Sequence, residues 1–141
     1  MTYDYSEKKI VAIIDEELKP GQAMNALGHL AFSLGRYSDQ SMMGKEKIID
    51  ADGNTHLGIT KYPFIVLKAK KEEIKEIIQK ARGQDILLAD FPSEMFDTAH
   101  DDELVRELSK AQEPAIKYHA ALLAGNTSSI KELTGHLKLY R

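Results

Sequence analysis

Five apolar residues in succession, Ile10-Val11-Ala12-Ile13-Ile14, constrain this chain more than any other feature. The run is too short to favour a helix and rich in β-branched side chains. It does not alternate with polar residues, so both faces of the strand it predicts, Lys8 to Ile14, must be covered. Burial on both sides of a strand calls for helices above and below a sheet. After the run come Asp15-Glu16-Glu17 and then Lys19-Pro20-Gly21, a turn whose proline is suited to the first position of a helix.

The helix is predicted over Pro20 to Leu34, with Gly35 as its stop. Ala23, Ala26, Leu27, Leu30, Ala31 and Leu34 form its inward stripe, and Gln22, Asn25, His29, Ser33 and Arg36 collect on the other side. Phe64 to Ala69 and Ile86 to Phe91 read as further strands. Lys71 to Ala81 reads as an amphipathic helix ended by Gly83. Ile48-Ile49 and the pair Asp52-Gly53 predict a small hairpin within Lys47 to Leu57.

Pro92 to Glu113 is an excursion with one short helix capped near Asp101 or Asp102. Ala115 to Ala124 fits a helix by composition and a fourth strand by its place in the order. Asn126 to Gly135 predicts a short helix, with Ser129 and Glu132 spaced as a capping box, and His136 to Tyr140 an extended tail. The fold expected is a single α/β domain over residues 1–141: a three-layer α/β/α sandwich with a mixed, mostly parallel sheet of about four strands plus a small hairpin.

Composition excludes several functions. With no cysteine among 141 residues, disulfides, thiolate zinc sites and cysteine nucleophiles are impossible. The start, Met1 to Lys9, is polar and has no secretory apolar region, and no apolar run approaches the roughly 20 residues that span a bilayer. A cytoplasmic location without membrane contact is expected. Nineteen basic residues against 22 acidic ones, a net charge of -3, lack the basic excess of a dedicated nucleic-acid binder.

The segment from Lys19 to His29 is the strongest candidate site, because ligands of α/β sheets bind beyond the carboxyl ends of strands. Amides of a helix start at Gly21 to Ala23 can receive an anion, with Lys19 as countercharge and Gln22 and Asn25 as donors. The competing interpretation is an ordinary helix start. His29 has the residue type of a general base. Asp90, ending the third strand, projects towards the rim that Asp15 occupies. The long connection Arg36 to Tyr62 is expected to line the same mouth. His100-Asp101-Asp102-Glu103 are consecutive and point in different directions, so a helix start explains them better than a metal, and neither metal nor cofactor is expected. If exposed, Leu104, Val105, Leu108 and Met42-Met43 would mark a homodimer interface.

Leu18-Lys19-Pro20-Gly21-Gln22-Ala23-Met24-Asn25-Ala26-Leu27-Gly28-His29-Leu30-Ala31, Phe64-Ile65-Val66-Leu67-Lys68-Ala69 and Leu133-Thr134-Gly135-His136-Leu137-Lys138-Leu139-Tyr140 resemble segments of the type 2 peptidyl-tRNA hydrolases. The hydrolases have a lysine after the second glycine of the turn, where this chain has Gln22, and Phe91-Pro92-Ser93-Glu94 departs from their pattern after the aspartate. In these departures the chain resembles the bacterial domain-of-unknown-function 2000 family, similar in fold to those hydrolases. This resemblance implies an uncharacterised protein that binds a small anionic or polar ligand at Lys19, Gly21, Gln22 and Asn25. An alternative it implies is a hydrolase releasing peptide from tRNA, with Lys19, His29 and Asp90 catalytic. The other alternative is a protein-interaction module docking through the helix around Leu104.

Overall fold

The computed structural model describes residues 5–141. The apolar run forms strand β1 (Lys8–Asp15), buried from Ile10 onwards. Helix α1 (Pro20–Tyr37) follows. A small hairpin comes next, β2 (Lys47–Ile49) with β3 (Thr55–Leu57), then β4 (Phe64–Ala69) and α2 (Lys71–Ala81). The remaining elements are β5 (Ile86–Pro92), the short helix α3 (Glu94–Asp97), α4 (Asp101–Lys110), β6 (Tyr118–Asn126), α5 (Thr127–Thr134) and β7 (Lys138–Leu139).

The sheet runs β5-β6-β1-β4-β7. It is mixed, as expected, with five strands. β1 lies parallel to β4, while β6 is antiparallel to both β1 and β5, and β7 is antiparallel to β4. Three of the five, β1, β4 and β5, therefore share a direction, although only one hydrogen-bonded pair is parallel. The segment Ala115 to Ala124 resolves as strand from Tyr118: it is the ladder between β1 and β5, and Ala120, Ala121, Leu122 and Leu123 are wholly covered.

Each sheet face has its own core. Ile10, Ala12, Ile14, Leu122 and Phe91 meet Ala23, Ala26, Leu30 and Leu34 of α1. Val11, Ile13, Leu67 and Leu123 meet Ile74, Ile77 and Ile78 of α2 and Ile130 of α5. The unbroken run in β1 is thus explained by two helical layers, each taking alternate residues.

Three local expectations differ from the structure. α1 continues through Gly35 to Tyr37, and the Ser38 amide closes it on the Leu34 carbonyl; helical φ/ψ is open to glycine, so the residue alone does not end a helix. Gly83 and Gly53, by contrast, take the left-handed φ of +82° and +87° that the end of α2 and the hairpin turn require. α5 is capped by Asn126, whose side chain accepts from the Ser128 amide, so Ser129 is not its capping residue. The connection after α1 lies away from the expected mouth. α1 carries the chain back to where β1 and β4 begin, and there the Ile10 amide bonds the Pro63 carbonyl.

Candidate functional site at the rim of the sheet

The carboxyl ends of β1, β4 and β5 share one rim with the first residues of β6, α1 and α2. The excursion carrying α3 and α4 flanks it. A groove of about 330 Å³ opens here between α1 and this excursion. Asn25 and His29 on α1 form one wall; Thr98, His100 and Asp101 form the other; Phe91, Met95 and Leu104 close the floor. The size is at the lower end for small-molecule sites. Helical spacing accounts for the first wall, because Asn25 and His29 are one turn apart and both exposed.

The predicted site residues do not all meet. Lys19, Gly21 and Gln22 stand exposed at the start of α1, beyond the walls of the groove. Gln22 folds back so that its Oε1 accepts from the Lys19 amide at 3.2 Å, which commits one of the proposed ligand groups to capping. Along β5, Leu87, Ala89 and Phe91 face the α1 core while Ile86 and Leu88 face the α2 core. Alternation puts the Asp90 side chain with the second set, away from His29 and Asn25. Burial there pushes the Asp90 carboxyl above the usual aspartate range, and the Arg82 charge partly opposes the shift.

Beside the groove is a feature that spacing could not reveal. Asp15, at the end of β1, is 1% exposed. Its Oδ1 accepts from the Glu17 amide at 3.0 Å, and its Oδ2 accepts from His119 Nδ1 at 3.0 Å. Lys71 Nζ lies 3.6 Å from the same Oδ2 and 3.2 Å from Glu17. The hydrogen bond to Glu17, and next the charge of Asp15, hold the Lys71 ammonium above its usual range. The ladder that pairs Ile14 with Ala120 brings Asp15 alongside His119, 104 positions later in the chain. Rings link this pair to the groove: His119 to Phe96 at 5.2 Å, Phe96 to Phe91 at 4.8 Å, and Phe91 to His29 at 6.2 Å between centroids.

Residues 8–141 match the family described as a protein of unknown function, DUF2000. The chain belongs to this family. Among solved structures, the DUF2000 chain is similar to a protein of unknown function from Agrobacterium tumefaciens strain C58. That likeness has a TM-score of 0.85 at 22% identity and covers 96% of this chain and 98% of the other. At that identity the likeness shows a shared fold. No curated protein matches the chain. Among the described residues, no helix is long and apolar enough to cross a membrane and no three His, Asp or Glu side chains are grouped as metal ligands.

Proposed function

We propose that this DUF2000 protein binds a small polar ligand in the groove between α1 and the α3–α4 excursion. The observation that carries the proposal is the convergence of Asn25, His29, Thr98 and His100 from two separate chain segments over an apolar floor. Such a concavity, with a few directed polar groups, is the usual form of a small-molecule site. Lys19 and the amides of Gly21 and Gln22, a turn nearer the helix start, supply positive field for an acidic substituent. The Thr98 hydroxyl donates to the Glu94 carbonyl at 2.9 Å, so towards a ligand it is an acceptor.

Titration of a panel of free amino acids, nucleosides and sugar phosphates, followed by thermal shift, tests this reading. At least one class should stabilise the protein, and Asn25→Ala and His29→Ala should each weaken that binding about tenfold, the effect of one lost hydrogen bond of ~1.4 kcal/mol. Binding that both variants leave intact refutes the groove as its location. Peptide release from tRNA, the activity implied by resemblance, has less support because Lys19, His29 and Asp90 do not face one another.

A further inference from the structure

We propose that the outer face of α1 pairs with the same face of a second copy, the two helices running antiparallel about a two-fold axis at Gly28. The observation behind this is an uncharged line along a surface helix. No Asp, Glu, Lys or Arg occurs from Pro20 to Gly35, whereas the shorter helices α2 and α4 carry six each. Ala23, Ala26, Leu30 and Leu34 take the buried side of α1. Gly21, Met24, Gly28, Phe32 and Gly35 recur at steps of three and four on the opposite side, and all five are exposed. Phe32 and Met24 are 87% and 68% exposed. Depletion of charge around aromatic and methionine side chains is the composition of an interface core. A lipid surface fits this face less well, because helices that lie on membranes carry Lys and Arg along their polar side.

The spacing along this line is the same from either end, which selects a second copy as the occupant. Met24 and Phe32 lie four residues to either side of Gly28, and Gly21 and Gly35 lie seven. A two-fold axis at Gly28 sets Phe32 against the partner's Met24 and Gly21 against the partner's Gly35, the reciprocal pattern of an isologous contact. A shallow hollow of about 630 Å³ over Gly28, flanked by Met24 and Phe32, is where the partner's Phe32 enters. A Cβ at Gly28 would meet nothing within 4 Å, so no contact inside the chain accounts for a residue that weakens a helix interior. Close approach of a second backbone accounts for it. A phenylalanine covers about 150–250 Å² when buried, so Phe32 brings roughly a fifth of the ~800 Å² that each partner covers in a standard dimer. The face is one helix wide, so the association is reversible and depends on concentration.

Sedimentation equilibrium and cysteine cross-linking of the full chain test the pairing. At tens of micromolar the wild type should sediment as a dimer that dissociates on dilution. Gly28→Lys, whose side chain has open space in the single chain, should keep the wild-type circular-dichroism spectrum and sediment as a monomer at the same concentration. Val105→Lys, at an exposed apolar residue of α4, should leave the dimer intact. The chain has no cysteine of its own, so Gly28→Cys supplies a single thiol, which should form a disulfide-linked dimer under mild oxidation. Gly35→Cys should not, because antiparallel pairing holds it about 20 Å from its own copy. A monomeric wild type, a dimer that survives Gly28→Lys or is lost in Val105→Lys, or cross-linking of Gly35→Cys as complete as that of Gly28→Cys overturns the proposal. The cross-link decides the matter even if Gly28→Lys fails to fold.

Discussion

Replacing His119 by alanine tests how tightly the rim is built. The change removes the donor on Asp15 Oδ2 at 3.0 Å and leaves a carboxylate that is 1% exposed. The Glu17 amide still serves Oδ1, and among the described residues Lys71 at 3.6 Å is the one remaining cation near Oδ2. Breaking a buried pair by removing one member costs roughly 3–5 kcal/mol. Because Lys71 remains and His119 is 17% exposed, the lower end, about 3 kcal/mol, is expected. In urea, with a slope of about 2 kcal/mol/M, the midpoint should fall by about 1.5 M. His119→Gln, which keeps a donor of similar reach, should cost about 1 kcal/mol. The double variant Asp15→Ala/His119→Ala should lose less than the two single losses added together. A His119→Ala midpoint within about 0.3 M of wild type, corresponding to less than ~0.6 kcal/mol, would refute the reasoning.

Three further outcomes follow from the same structure. Asp50 is held down to about 2, chiefly by its hydrogen bond to His56, so its contribution to hairpin order is complete above the ordinary aspartate value of 3.8 and disappears as pH falls towards 2; amide protection factors in residues 47–57, corrected for intrinsic exchange, should fall as pH drops through that window. Burial raises the Asp90 carboxyl, so the folded chain holds that proton more strongly than the unfolded one and loses stability as pH rises through the aspartate range. Asp90→Asn should therefore raise Tm at pH 7 and leave it unchanged at pH 3. Phe32 is 87% exposed on α1 with Met24 and Tyr37 also exposed; if copies associate through this face, sedimentation equilibrium should show a concentration-dependent homodimer that Phe32→Asp returns to monomer, with a Tm lower by the lost association. On α4, Val105 is the exposed member of the expected interface stripe, whereas Leu104 and Leu108 are partly covered and Met42 is buried.

What the chain reveals by itself depends on how local each cause is. The β1 run, the α1 and α2 stripes and the Asp52-Gly53 turn are local, and each yields its element directly. The end of α1 was less legible, because Gly35 is compatible with helix and the termination comes from the residues beyond it. Sheet order is non-local: nothing in Tyr118 to Asn126 alone says that it lies between β1 and β5. That same pairing creates the Asp15–His119 contact, so the histidine could be found only after the ladder was known. Asn25 and His29 were legible from helical spacing. Asp90 was legible as a strand-end carboxylate, but its face depended on the strand's parity relative to α1.

The most direct measurement is chemical-shift mapping of the ¹⁵N-labelled chain with the panel of amino acids, nucleosides and sugar phosphates. Ligand-dependent shifts should concentrate on Asn25, His29, Thr98, His100 and the Gly21 and Gln22 amides, and should saturate with ligand concentration. Saturable shifts confined to the hairpin or to the α2–α5 face, with the α1 wall unmoved, would contradict the account.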